Sequence, residues 1–326
     1  MLPHWEKIVH YATLAPSTHN TQPWKFRVEE DRITLLPDLA RRMPVADPDG
    51  RELFISLGCA LENLVIAAGT YGYEPIPYIH IGSTISIEVA LPQRIRPRSN
   101  PLFDEIARRQ TTRSLYDGHP IPDADLQVLQ AAARQEDVRC HLFTGLAERE
   151  PLVRLGKQAA LLQANDAGYR DELRTWLRFN RGAAAGSGDG LYSAAAGRPS
   201  VPEWFGKMLL DKTHAPGRVL RQTDEELRSA PALVVFSARR DDVRAWINIG
   251  RSFERFSLTA ASLDLRLAHH NNVCQVGPLR AELARLLDLG EGEEPVLMLR
   301  LGYGELMPYS FRRPLEEVVE VLEPVL

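Results

Sequence analysis

Cysteine is scarce: Cys59, Cys140 and Cys274 are the only three in 326 residues, far apart and without a CxxC pair. This argues against a disulfide framework or a zinc site of paired thiols, and for a reducing, cytoplasmic compartment. There is no excess of one charge, since 39 basic against 43 acidic residues leave a net charge of −4. Such a chain is poorly suited to gripping nucleic-acid phosphates over a broad face. No uncharged apolar run approaches the roughly 18 residues of a membrane span. Met1 to Glu6 also lacks the basic start and apolar stretch of a secretory leader. What remains is ordinary globular material, 44% hydrophobic and 25% charged, with enough apolar residues for a sizeable core. At about 150 residues per domain, the length predicts two domains or one large one.

Apolar spacing predicts a helix over His4 to Ala15, stopping before Pro16. Strands follow at Trp24 to Val28 and Ile33 to Leu36, then a long helix from about Glu52 to Ala68, and a hairpin over Pro75 to Ile81 and Ile85 to Leu91. Gln93 to Pro101 reads as a connector. Beyond it come helices at Leu102 to Arg109 and from Pro122 to about Arg134, a strand at Arg139 to Thr144, and helical segments at Leu152–Ala164 and Tyr169–Asn180. Arg181 to Ser200 is rich in Gly, Ala and Ser, has little to bury, and reads as mobile. Ala232 to Ser237 and Pro295 to Tyr303 are apolar strands, with a helix over Val243 to Leu263 between them.

The two long helices are alike. At an offset of 192 residues, Gly58 meets Gly250, Ile55 meets Ile247, Leu57 meets Ile249, Leu61 meets Phe253 and Glu62 meets Glu254. Chance similarity of amphipathic helices is one account. The other is duplication, with two α+β units related by a pseudo-twofold axis.

Three strings carry the polar chemistry. Ala15-Pro16-Ser17-Thr18-His19-Asn20-Thr21-Gln22-Pro23-Trp24 lies between a helix and a strand. Its Ser, His, Asn and Gln suit a planar, amide-edged ligand, or cap local backbone. Arg108-Arg109-Gln110-Thr111-Thr112-Arg113 forms either a charge-assisted cradle for a phosphate and its polyol, or a solvated basic helix end. In the tail, Leu301-Gly302-Tyr303-Gly304 leads to Ser310-Phe311-Arg312-Arg313 before a helix opened by Pro314, again open to a phosphate or to water. His269 and His270 invite a metal, but no acidic or cysteine cluster of suitable spacing lies nearby.

Taken together and in this order, the strings resemble the FMN-dependent nitroreductase superfamily over nearly the whole chain. They are closest to its two-repeat Acg-type subfamily, whose members look like a nitroreductase dimer in one polypeptide. The resemblance implies an α+β nitroreductase-like fold. Residues 1–100 would form a truncated first repeat, and residues 101–326 a second repeat with a lid-like insertion near 181–200. It implies that Arg109 and Thr111 hold the phosphate and ribityl chain of FMN, joined by Ser310 and by Arg312 or Arg313. Arg113 would face the N1/O2 edge of the ring. Ser17, Asn20 and Gln22 would touch the ring from the other repeat, and His19 either touches it or packs the loop. His270, Asn271 and Asn272 would pass the flavin N5 where the family places a glycine-containing turn. Asn271 and Asn272 can adopt left-handed turns, so the backbone donor can survive. No side chain acts as a nucleophile, because the flavin carries the redox chemistry.

The second half lacks a PSxxNxQPW-like loop and the first lacks the arginine cradle, so one FMN per chain follows from the resemblance. The expected activity is NAD(P)H-dependent reduction of a small-molecule acceptor, nitroaromatic or quinone-like. The alternative is FMN storage without turnover. No nucleic acid, membrane or metal partner is expected, and the chain should be a monomer that forms a pseudo-dimer with itself.

Overall fold

The computed structural model describes residues 2–93, 99–213 and 215–322. The centre of the expected connector, residues 94–98, lies outside them. The first half contains α1 (Trp5–Thr13), β1 (Trp24–Val28), β2 (Arg32–Pro37), α2 (Arg51–Thr70), β3 (Ile76–Ile81) and β4 (Ile85–Ala90). The second opens with α3 (Glu105–Arg108), α4 (Asp123–Ala132), β5 (Val138–Phe143), α5 (Leu146–Asn165) and α6 (Ala167–Trp176). It continues through β6 (Leu177–Arg178), α7 (Arg181–Ser187), β7 (Leu191–Tyr192), α8 (Glu203–Thr213) and α9 (Pro216–Ser229). Next come β8 (Ala232–Ala238), α10 (Val243–Ser262), β9 (Arg266–His269), α11 (Asn272–Gln275) and α12 (Gly277–Leu286). β10 (Glu294–Gly302), α13 (Leu315–Val318) and β11 (Val319–Val321) close the described chain.

Two antiparallel sheets share one plan. The first runs β1-β2-β4-β3 and the second β5-β8-β10-β9. In each, the long helix (α2 or α10) follows the second strand and the third strand occupies the sheet edge. Every neighbouring pair within these two four-strand arrays is antiparallel. β11 then leaves the second half and adds, parallel, to β1 of the first sheet.

α2 is apolar on nearly every side, and Leu53 to Leu64 is buried throughout, as expected of a helix enclosed by protein. By length and composition it could cross a membrane, yet most of it is inside the fold. Its Gly58 is the crossing point with α10. A Cβ on Gly58 would collide with the carbonyl oxygen of Ile247, and one on Gly250 with that of Ile55. The contact is reciprocal at the 192-residue offset found in the sequence. An aspartate serves each helix start: Asp47 accepts from the N–H groups of Glu52 and Leu53, and Asp242 from that of Ala245.

Two expectations fail. α6 stops at Trp176 rather than Asn180. Arg181 to Ser200 is also not without structure, folding as α7, β7 and a turn of 3-10 helix. Composition misleads here because the segment is held by groups distant in sequence. Asp189 is buried between Arg41 and Arg178, 2.6 Å from the latter. The Asn20 and Gln22 side chains donate to the carbonyls of Gly190 and Gly188.

Candidate functional site

A cavity of about 290 Å3 opens between the two halves. Its floor comes from α2 and α10, one side from the loop after α1, and the other from residues 111–113, β9 and α11. Eight residues singled out in the sequence line it: Ser17, His19, Thr111, Arg113, His269, His270, Asn271 and Asn272.

The loop is bent sharply. His19, Asn20 and Gln22 all have left-handed backbones, with φ of 49°, 56° and 50°. Each costs on the order of 1 kcal/mol in a residue with a side chain. Side-chain bonds hold the bend: Ser17 Oγ accepts from the Gln22 N–H, and Asn20 Nδ2 donates to the carbonyls of Gly190 and Phe311. Gln22 Oε1 accepts from the N–H of Arg313. Asn20 and Gln22 are therefore pins between the loop, the 181–200 segment and the tail, and do not face the cavity.

The arginines divide likewise. Arg113 reaches the cavity, and among the described residues no hydrogen bond or ion pair engages its guanidinium. Burial disfavours its charged form, with Arg198 and Arg300 adding to this and Glu226 opposing it. Arg109 is buried 3.5 Å from Glu254, and its Nε and Nη1 lack hydrogen-bond partners among the described residues. Arg312 donates to the carbonyls of Thr13 and Leu14 and to Asn20 Oδ1. Burial and neighbouring Arg109 push Arg312 down to about 9. Arg313 is spent on Asp38, Glu317 and the Gln22 carbonyl, away from the cavity. Ser310 does not line it either. In sequence the two tail arginines look alike, and only the return of the tail along the first sheet shows that Arg313 is a structural tie.

The turn after β9 differs from expectation. Asn271 has φ −77°, and neither it nor Asn272 is left-handed. Short helix α11 begins here, so Asn272 donates to the Gly156 carbonyl and Asn271 turns its amide group towards Glu52. His270 Nε2 pairs with Glu226 at 3.2 Å. Among the described residues, no group of three or more His, Cys, Asp or Glu is arranged to hold a metal.

Sequence reasoning missed Glu52, Thr18, Tyr169, Gln275 and Phe253, all in the lining. Glu52 Oε2 accepts from Thr18 Oγ1 at 2.7 Å, and its Oε1 accepts from Gln275 Nε2 at 2.7 Å and from Asn271. Burial, followed by the charge of Asp47, pushes the Glu52 carboxyl up to about 7. A glutamate in the first turn of the central helix was the available signal. Tyr169 and Gln275 gave none, since they arrive on helices without local polar motifs.

Residues 106–303 match the Nitroreductase family, and the chain belongs to it. It is similar to a Mycobacterium tuberculosis H37Rv protein provisionally named NAD(P)H nitroreductase Rv3131, at 28% identity over 98% of this chain and 92% of that one. The acg protein of the same organism, also provisionally named an NAD(P)H nitroreductase, is 24% identical over 96% of this chain and 94% of its own. A Bacteroides fragilis nitroreductase crystallised with FMN covers 66% of this chain and 96% of its own, at 18% identity and a TM-score of 0.41.

Proposed function

We propose that this chain is an FMN-dependent NAD(P)H oxidoreductase that reduces quinone-like or nitroaromatic acceptors. One observation carries the reading: Arg113 stands in the inter-half cavity with no hydrogen bond or ion pair to any described residue, a fixed cation suited to a ligand edge that gains negative charge. The donor set fits FMN. Ser17, Thr111 and Arg113, which line the cavity, would hold the ring and ribityl chain, and Arg109 and Arg312, buried outside the lining with mutually repelling charges, would favour an anion such as the phosphate beside them. Bound FMN would supply the hydride chemistry that no amino-acid side chain offers. Phe253, Ile55 and Leu191 would give apolar contact and exclude water.

The shared strand order and the reciprocal glycine contact support an origin by duplication, with one site per chain and a monomeric state. FMN storage is the second reading. It is favoured by Leu191, which places the pinned 181–200 segment in the cavity lining.

Anaerobic mixing of the purified yellow protein with NADPH tests both. Rapid bleaching of the flavin supports the oxidoreductase, and an unreduced flavin supports storage. Arg113→Ala should lower the flavin potential by tens of millivolts, since an unscreened buried charge contact is worth on the order of 1 kcal/mol or more. A colourless protein that takes up no FMN overturns both readings.

A further inference from the structure

Reducing a quinone to a hydroquinone takes a hydride equivalent and one further proton. The cavity holds few groups able to release that proton near neutral pH. Burial, with Arg113 adding to it, pushes His19 down to about 4. Burial, then Arg113 and Arg109, takes His269 to about 3. Both rings are neutral at pH 7. The Cys59 thiol is pushed well up by burial.

Glu52 differs, and its hydrogen bonds have a direction. Asn271 Oδ1 accepts from the Met298 N–H at 2.9 Å, which turns the Asn271 NH2 group towards Glu52. Gln275 Oε1 accepts from Gln163 at 2.6 Å, which turns its NH2 group the same way. Both amides therefore donate to Oε1, and a proton on the carboxyl belongs on Oε2, facing Thr18. The hydroxyl of Thr18 is both donor and acceptor. When Oε2 is protonated, Thr18 Oγ1 accepts from it and its own hydrogen is free to point into the cavity, which Thr18 lines.

We propose that Glu52 and Thr18 form a proton relay serving the oxygen of an acceptor bound in this cavity. The Thr18 O–H bond breaks as its proton passes to the acceptor oxygen, and the Glu52 O–H bond breaks as its proton restores the hydroxyl. The two electrons and the other hydrogen originate in the reduced nicotinamide dinucleotide, and a proton taken up from bulk solvent restores Glu52. Thr18 touches the acceptor, and Glu52 acts through it. The relay rests on the oxidoreductase reading above. The charged and titratable groups around Glu52 are Asp47 and Arg51 on its own turn and helix, His19 on the loop, Tyr169 on α6, Cys274 on α11, and His270 and Arg113 across the cavity.

The test uses the flavin-loaded protein with NADPH and a benzoquinone, at equal flavin occupancy for every variant. Because the protonated carboxyl is the donor, wild-type kcat should fall as pH rises through about 7. Glu52→Gln should lose about tenfold or more in kcat at low pH, with little change in KM, and lose that pH limb. Thr18→Val should lose kcat comparably while the Glu52 carboxyl band still titrates in infrared difference spectra, and Thr18→Ser should restore the rate. If Glu52→Gln fails to fold, the Val and Ser pair at Thr18 decides. The relay is overturned if Thr18→Val turns over like wild type, or if Glu52→Gln keeps the fall in kcat through about pH 7. A wild type that oxidises no NADPH with any quinone overturns the oxidoreductase reading itself.

Discussion

Glu254 is fully enclosed on α10, beside Asn63 of α2. Burial raises it to about 7, although Arg109 at 3.5 Å pulls the other way, so desolvation outweighs the ion pair. Glu52 is raised to a similar value. For both, the folded pKa lies above the unfolded one, so the folded state holds protons that the unfolded state releases. The stability they contribute is complete below about pH 4.5 and is lost as pH rises to about 7. Each pKa unit is worth about 1.4 kcal/mol. Urea unfolding should therefore give a midpoint that falls over this window, and Glu254→Gln should flatten the fall. An unchanged slope in Glu254→Gln would place the protonation elsewhere. At this scale the sequence was half legible. Ser17, Thr111 and Arg113 could be named because their strings concentrate polar groups beside turns. Glu52 and Glu254 could not, because a raised carboxyl is a property of enclosure and not of neighbours in the chain.

Individual elements were easier to read than their ends. α2, α10, β8 and β10 are legible because their apolar residues run in step with a buried helix or strand over many positions. The 181–200 segment was not, since its order comes from Asp189, Gly188 and Gly190 meeting residues of the first half. The α2–α10 crossing offers a sharp test. Two backbones meet where Gly58 and Gly250 face each other, so any Cβ must push the helices apart. Gly58→Ala should cost about 3 kcal/mol, at the upper end of what overpacking a core usually costs. Gly69→Ala, on the same helix with open space around it, should not destabilise. Thermal unfolding of the two variants makes the comparison.

Across the whole molecule, the halves are interlocked. β11 completes the sheet of the first half, Arg313 ties the tail to Gln22, and Asn20 reaches both the 181–200 segment and the tail. The chain thus provides both sides of its own cavity. Native mass spectrometry of the flavin-loaded protein should give one chain of 36.6 kDa with one flavin. A dimer that dissociates only with loss of flavin would contradict this. From sequence alone came the two long helices and their 192-residue offset, the apolar strands, and the strings that signal the family. These are written in successive residues, whose periodicity fixes local structure before any distant contact forms. Which polar groups face the cavity was settled only by the tertiary structure. Thr18 and Gln275 meet at Glu52 across 34 and 223 residues of chain. No local pattern encodes such a meeting, because it depends on how helices cross and where the tail returns.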